Sequence, residues 1–157
     1  MRPYDLDFLR QAIQIAAQAR AHGNHPFGAV LVDAQGQFLA VAENTVLTAR
    51  DSTGHAETNL VRAASAAFSP QVLAGATLYT STEPCAMCSG AIFWSGIARV
   101  VFALSERGLL ELVAGLPSGD FLDLPCREVF ARGGRPVEVL GPLLEDEARQ
   151  VHLGFWQ

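Results

Sequence analysis

The sequence predicts one α/β domain in which helices cover both faces of a central sheet. Predicted strands alternate with predicted helices along the chain, and this alternation is typical of layered α/β folds. The length of 157 residues suits a single domain, and half of the residues are hydrophobic, which is sufficient for a buried core. Only 17% of the residues are charged, so the composition is not that of a disordered or low-complexity segment.

The first elements are predicted from the spacing of apolar residues. Residues 5–20 carry two apolar stripes at helical spacing, with Asp5 as the expected N-cap. The apolar runs 28–32 and 38–42 flank a turn with Gly36 and predict a β-hairpin. Scattered glycines and prolines leave the stretch before the last strand without a predicted element. The later elements continue the alternation: a helix over 55–67, a strand over 76–80, a helix over 85–94, a strand over 97–103, a short strand over 137–140 and a terminal helix over 145–155.

Charge and targeting signals exclude several classes of protein. The formal net charge is −5, and all eleven basic residues are arginines. An acidic chain without lysine or a basic cluster is a poor candidate for binding a phosphate backbone or an anionic membrane. No apolar stretch is long enough for a membrane span, and acidic residues interrupt the N-terminus where a signal peptide would be apolar. We therefore expect a cytoplasmic protein without nucleic-acid or membrane partners, whose three cysteines stay reduced.

Two short motifs stand at the starts of predicted helices. His55-Ala56-Glu57 opens one helix, and Pro84-Cys85-Ala86-Met87-Cys88 opens another. A helix N-terminus exposes unpaired N–H groups and the positive end of the helix dipole, and both lower the pKa of a nearby thiol. Cys85 and Cys88 are three positions apart, so their side chains can reach one point from the first helical turn. This pattern is typical of a metal site.

A zinc site with three protein ligands is the chemistry that these residues predict. His55, Cys85 and Cys88 are the expected ligands, which leaves the fourth tetrahedral position open for water. Glu57 lies too close to His55 to be a comfortable fourth ligand, but it is well placed to move a proton of that water. Two alternatives remain. One is a closed structural zinc site with Cys126 as the fourth ligand, which gives the His-Ala-Glu motif no purpose; the other is a redox C-x-x-C pair, whose usual neighbours are absent.

The two motifs strongly resemble those of the zinc-dependent cytidine/deoxycytidylate deaminase superfamily, whose signature is H-x-E followed by P-C-x-x-C. The resemblance extends from about Phe27 to Phe102, and its details are similar to the guanine deaminase-like branch of nucleobase deaminases. It implies a three-layer α/β/α sandwich around a mixed five-stranded sheet. It also implies that residues 1–157 form one zinc-dependent deaminase domain.

The resemblance also assigns roles in an active site. It implies hydrolytic deamination with one Zn²⁺ per chain, held by the three predicted ligands, and Glu57 as the catalytic residue that carries the protons. Asn44 matches the substrate-binding asparagine of the family, although an asparagine in this place also suits a turn. Phe27 is expected either to stack on the substrate ring or to be a core aromatic at the start of a strand. Asp120 and Trp156 are further candidates for substrate contacts.

Three functions are compatible with this resemblance. The preferred one is deamination of a free aminated base: a guanine-like purine, isoguanine, a cytosine analogue or an aminotriazine. The acidic composition favours it, and so do residues 141–157, which are expected to form a helix and an aromatic tail that covers the site. Guanine deaminases usually carry a Gly-Phe-Asp-Asp/Glu segment near Asp120, which is not intact here; Glu111 is another acid in this region. The alternatives are a tRNA-specific adenosine deaminase and a non-catalytic, zinc-stabilised binding module.

The expected partners are a small aminated base and a second copy of the chain. Proteins of this superfamily usually pair through helices beside the zinc site. We therefore expect a homodimer, with Ala91-Ile92-Phe93-Trp94 supplying contact area.

Overall fold

The structure is a computed structural model that describes residues 1–116 and 121–157. Its strands are β1 (Gly28–Val32), β2 (Phe38–Glu43), β3 (Thr77–Thr82), β4 (Arg99–Leu104) and β5 (Glu138–Leu140). Its helices are α1 (Asp5–Ala21), α2 (Val46–Ala49), α3 (Ala56–Ala67), α4 (Pro70–Gly75), α5 (Ala86–Ser95), α6 (Glu106–Val113), α7 (Cys126–Ala131) and α8 (Glu145–Gln150).

The five strands form one mixed sheet in the order β2-β1-β3-β4-β5. β1 runs antiparallel to both β2 and β3, whereas β3, β4 and β5 are parallel to one another. The pairing of Val30 with Val41 lies inside the predicted hairpin, which is confirmed. The prediction of an α/β fold around a mixed five-stranded sheet is confirmed as well.

Helices cover both faces of the sheet, and the sheet separates two hydrophobic cores. The three central strands β1, β3 and β4 are buried at every residue, as expected for strands with both faces covered. On one face the core is formed by α1, α8 and alternate strand residues: Leu9, Ala12, Ile13, Val30, Val32, Tyr79, Val101, Ala103, Leu104 and Ala148. On the other face it is formed mainly by α3, α5, α7 and the remaining strand residues: Ala29, Leu31, Leu60, Leu78, Ile92, Val100, Phe102 and Phe130.

A buried ion pair attaches α1 to the sheet. The expectation that Asp5 caps this helix is wrong: Tyr4 is at the N-cap, and Asp5 is a fully buried residue of the first turn. Its carboxylate accepts hydrogen bonds from both terminal nitrogens of Arg99, at 2.8 Å each, and from the Tyr79 hydroxyl at 2.7 Å. Asp5 therefore neutralises a buried arginine of β4 instead of satisfying the helix end.

Close backbone packing fixes the position of α1 over β1. A Cβ atom added to Gly28 would lie 2.5 Å from the carbonyl oxygen of Ala12 and 2.6 Å from the backbone nitrogen of Ala16. Only glycine allows this approach, so the start of β1 is held directly against the helix.

The end of the chain differs from the sequence prediction. The predicted helix over 145–155 is too long, because α8 ends at Gln150 and residues 151–155 form turns. Arg20 of α1 explains the early end: its Nη1 donates hydrogen bonds to the carbonyl oxygens of Val151 and Leu153, at 2.9 and 2.7 Å. Because these carbonyl oxygens bind Arg20, they do not continue the hydrogen bonding of α8, and the aromatic end of the chain turns toward α1. None of the described helices is long and apolar enough to cross a membrane.

Candidate metal centre and active site

Two helix N-termini bring the predicted metal ligands together. His55 is the N-cap of α3, Cys85 is the N-cap of α5, and Cys88 lies in the first turn of α5. The Sγ atoms of both cysteines lie 3.6 Å from His55 Nδ1. The three ligand atoms all lie within 4.8 Å of one another.

These distances fit a zinc ion. With Zn–S bonds of about 2.3 Å and Zn–N bonds of about 2.0–2.1 Å, two corners of a tetrahedron are roughly 3.6 Å apart. Among the residues that the structure describes, Cys126 does not join the group. It is buried at the start of α7, where its N–H donates a hydrogen bond to Glu83. The geometry therefore supports three protein ligands over a closed site completed by Cys126.

The electrostatics of the cluster favour a thiolate. Hydrogen bonds from Cys88 and His55 hold the pKa of Cys85 well below its usual range, although burial acts in the opposite direction. The hydrogen bond with Cys85 also raises the pKa of His55. A polarised cluster of this kind, at the positive ends of two helices, is suited to ligate a divalent cation.

Glu57 lies beside the ligands but points one carboxylate oxygen at the sheet. Its side chain is buried, its Oε1 accepts a hydrogen bond from Thr80 Oγ1 at 2.8 Å, and its Oε2 lies 3.6 Å from Cys88 Sγ. Burial, and then the negative charge on Cys85, raises the pKa of Glu57, and Thr80 partly offsets this. A carboxyl group with a raised pKa can take up a proton and release it again, as a proton shuttle must. Sequence reasoning missed Thr80, because the alternation in β3 shows which face of the sheet it lies on but not which distant side chain it contacts.

Asn44 has the turn role that was one of its two expected roles. It is buried, its N–H donates to the Phe27 carbonyl oxygen at 3.1 Å, and its Oδ1 accepts from the Val46 N–H at 3.0 Å. The turn interpretation is therefore correct for the side-chain oxygen. Since the oxygen is held by the turn, the amide directs Nδ2 away from it, and this donor is the end available to a substrate acceptor.

Asn59 of α3 connects the loop that carries Asn44 to the helix that carries the metal ligand. Its Nδ2 donates to the Glu43 carbonyl oxygen at 3.0 Å and to Thr45 Oγ1 at 2.9 Å. Sequence reasoning missed this residue, because one polar residue on a helix gives no signal of the distant backbone it will bind. The contact keeps Asn44 in register with His55.

The comparisons with known proteins assign the family. Residues 3–104 match the family model of the cytidine and deoxycytidylate deaminase zinc-binding region. The chain belongs to this deaminase family. It is 45% identical over 152 residues to a probable cytosine deaminase of Schizosaccharomyces pombe, covering 97% of this chain and 92% of that protein. It is 36% identical over 150 residues to a tRNA-specific adenosine deaminase of Bacillus subtilis, covering 96% and 87%.

A solved structure has the same fold over most of its length. Guanine deaminase from Nitrosomonas europaea superposes with a TM-score of 0.75 at 26% identity, covering 92% of this chain and 80% of that one. The predictions of a zinc-dependent deaminase, a hydrolase acting on C–N bonds, are thereby confirmed. The relatives act on different substrates, so the base remains to be proposed.

The aromatic tail of the deaminase, residues 151–157, packs on the start of β1. The Trp156 ring centroid lies 5.3 Å from that of His25 and 6.2 Å from that of Phe27. Burial, and then the charge on His55, lowers the pKa of His25. Phe27 itself is half-buried and also packs against the core of the α3 face. Both expectations for Phe27, core residue and site residue, are therefore compatible with its position.

His152 is the most buried polar group of the tail. It is 2% exposed, and its Nδ1 accepts a hydrogen bond from Trp156 Nε1 at 3.0 Å. An indole nitrogen can only donate, so the imidazole carries its proton on Nε2, for which the described residues offer no partner. Burial, and then the charge on Arg20, lowers the pKa of His152 to about 4, so the ring is neutral at neutral pH. Sequence reasoning treated the tail as apolar and missed this residue.

The remaining acidic residues considered for the site lie in different parts of the structure. Asp120 lies outside the described residues. Glu111 is exposed and pairs with Arg149 at 3.0 Å on the surface, so it does not face the metal ligands. Glu83 and Glu106 line a cavity of about 350 Å³ together with Asp123.

Glu83 joins two helices beside the site. Its two carboxylate oxygens accept the N–H groups of Glu106 and Cys126, at 3.0 and 3.1 Å. Burial, and then the charges of Glu83 and Asp123, raises the pKa of Glu106 to about 7. These bonds give Glu83 a structural role.

Proposed function

We propose that the protein hydrolyses the exocyclic amine of a free nucleobase, with cytosine as the first substrate to test. The observation that carries this proposal is the contact of Trp156 with His25 and Phe27, because it brings the aromatic end of the chain to the start of β1, beside the backbone that holds Asn44. The similarity to a probable cytosine deaminase over nearly the whole chain supports the same choice. The broader set of substrates from the sequence stays in the proposal: guanine-like purines, isoguanine, cytosine analogues and aminotriazines.

The site residues have separate roles in the proposed reaction. Zinc held by His55, Cys85 and Cys88 would supply a hydroxide near neutral pH by lowering the pKa of water to about 7. Glu57 takes the proton released there and delivers it to the ring nitrogen as the hydroxide oxygen bonds to the adjacent carbon. It then moves the hydroxyl proton to the amino group, so that the C–N bond breaks, ammonia leaves and a carbonyl remains on the ring. Asn44 Nδ2 donates to an acceptor on the ring edge.

The negative charge of the protein supports the proposal of a small, uncharged substrate. Glu83, Glu106 and Asp123 form an acidic group next to the segment that carries Cys85, and the net charge of the whole chain is −5. Such a surface repels the phosphates of a polynucleotide, whereas a neutral base is unaffected. A cytoplasmic location belongs to the same proposal.

A tRNA-specific adenosine deaminase is the second candidate. The 36% identity to the Bacillus subtilis enzyme over 96% of this chain is the observation that favours it. The two candidate functions differ in the size and charge of the substrate that must reach Glu57, which is a small neutral base in the first and an RNA in the second.

Ammonia release from a panel of substrates separates the candidates. The panel contains cytosine, guanine, isoguanine, adenine, an aminotriazine and an anticodon stem-loop, and Glu57→Gln prepared in parallel controls for contaminating deaminases. We expect release from at least one free base and no inosine in the RNA. Inosine in the stem-loop, with no release from any free base, would overturn the proposal and favour the second candidate.

We also propose a homodimer that forms through α5. Trp94 on this helix is 86% exposed, the highest exposure of any large apolar side chain among the described residues. It follows Phe93 directly in α5, the helix whose N-terminus carries Cys85 and Cys88. An exposed aromatic next to an active-site helix is typical of an interface.

A further inference from the structure

His152 and Trp156 form a hydrogen-bonded pair in the aromatic tail. Trp156 is half-buried and contacts the two aromatic rings at the start of β1, whereas His152 is buried beneath it. The planes of the two rings differ by 15°, and the indole Nε1 donates to the imidazole Nδ1 at 3.0 Å. A bond of this geometry restricts the rotation of the indole about its side-chain torsions.

The backbone beneath this pair is fixed independently. Arg20 holds the carbonyl oxygens on either side of His152, and its guanidinium lies 5.6 Å above the Phe155 ring. The imidazole also meets the Phe27 ring edge-on, with centroids 5.3 Å apart. His152 therefore has a fixed position against α1 and β1, from which it can orient a neighbouring side chain.

Trp156 stands where orientation matters to a bound base. Its ring contacts His25 and Phe27, and the Phe27 carbonyl oxygen accepts the Asn44 N–H. The indole is thus one residue removed from the proposed ring-edge donor. A rotation of this ring changes the wall of the base site without moving the zinc ligands or Glu57.

We propose that His152 is a positioning residue, which holds the Trp156 indole in the orientation that forms one wall of the base site. This inference rests on the proposed deamination of a free base. It assigns His152 to substrate binding through Trp156, and not to the chemical step.

The experiment uses a Trp94→Phe background, in which Trp156 is the only tryptophan of the full-length, zinc-loaded enzyme. His152→Leu removes the acceptor, and His152→Asn restores an acceptor close to the position of Nδ1. Trp156→Phe removes the donor but keeps an aromatic ring, and the double variant His152→Leu/Trp156→Phe completes a cycle. Emission and acrylamide quenching of Trp156 are measured in the His152 variants, and KM and kcat for the best base are measured in all of them.

We expect Trp156 to become more accessible to the quencher in His152→Leu, and KM to rise roughly tenfold, which is the effect of losing one hydrogen bond, with kcat changed less than threefold. His152→Asn should restore both quenching and KM toward the background values. The double variant should be no worse than either single variant, because both remove the same bond.

Three results would overturn the inference: unchanged quenching in His152→Leu, a His152→Asn variant as impaired as His152→Leu, or losses that add in the double variant. Each of them would leave His152 as a packing residue. Failure of the proposed function is distinguishable, because in that case the background enzyme itself releases no ammonia from any base, while the fluorescence comparison can still be made.

Discussion

Glu57, the proposed proton carrier, is buried and hydrogen-bonded to Thr80. The hydroxyl of Thr80 binds Oε1 and leaves Oε2 on the side of Cys88 and the other ligands. Burial raises the pKa of Glu57, so that proton uptake during turnover is less unfavourable than for an exposed carboxylate.

Glu57→Gln is expected to keep the fold and the zinc but to lose activity. Glutamine can still accept from Thr80, but it cannot carry a proton, and loss of general acid–base catalysis typically costs about 10²–10⁴-fold in rate. Zinc content, base binding and ammonia release should be measured on one preparation. Activity near that of the wild type with zinc bound would show that another group is the shuttle.

Cys126→Ser is expected to retain one zinc ion per chain, whereas Cys88→Ser should lose it. Cys126 lies outside the ligand group of the described residues, and Cys88 Sγ is 3.6 Å from His55 Nδ1. Elemental analysis of both purified variants makes the comparison, and Cys126→Ala serves as a second variant if serine disturbs the buried position. Loss of zinc from both Cys126 variants would support the closed structural site.

The candidate ligands could be predicted from the sequence, but their supporting residues could not. His55, Cys85 and Cys88 stand in a local pattern whose spacing matches zinc chemistry. Thr80 and His152 act through partners far along the chain or through a folded-back tail, and spacing carries no information about such contacts.

At the scale of elements, periodicity predicted the five strands and the long helices but missed four short helices. The hairpin and the helix α3 were predicted within a residue, because apolar residues recur regularly along them. The short helices α2, α4, α6 and α7 were missed, since four to eight residues give too few repeats to distinguish a helix from a turn. The terminal helix was predicted too long, because Arg20 and not the local sequence ends it.

The attachment of α1 to β4 gives a prediction for stability. Asp5→Asn removes the charge that faces the two terminal nitrogens of Arg99, whose side chain is 3% exposed. Breaking a buried ion pair typically costs about 3–5 kcal/mol, and we expect a loss at the lower end of this range because Glu138 still pairs with Arg99 Nε at 3.0 Å. Asp7→Asn is the matched control, because Asp7 lies in the same first turn but is exposed, and it should change the free energy of unfolding by less than about 0.5 kcal/mol. Equal effects of the two substitutions in urea unfolding would contradict this assignment.

The same carboxylate predicts a pH dependence. Burial alone would raise the pKa of Asp5, but the hydrogen bonds from Arg99 and Tyr79 outweigh it and lower the pKa to about 2, below the ordinary value of 3.8. Its contribution to stability is therefore present above pH 3.8 and lost as the pH falls toward 2. The difference in unfolding free energy between the wild type and Asp5→Asn should shrink over this interval. A difference independent of pH would show that the carboxylate is not the source.

At the scale of the whole molecule, the exposed surface of α5 predicts association. The wild type should have the mass of two chains by light scattering at micromolar concentration, and Trp94→Asp should shift it toward one chain. Phe38→Asp is the control, since Phe38 is also exposed, at 54%, but lies on the edge strand β2. A monomeric wild type, or equal effects of both substitutions, would refute an interface through Trp94.

Glu83 has a consequence for how far the chain after β4 can vary. One carboxylate binds the first N–H groups of both α6 and α7, so the chain leaves at Glu106 and returns at Cys126 from two points fixed by the same side chain. Doubling the length of a loop whose ends are fixed costs only about 0.6 kcal/mol in closure entropy. We therefore expect insertions after α6 to be tolerated without displacing Cys85, which lies two residues from Glu83.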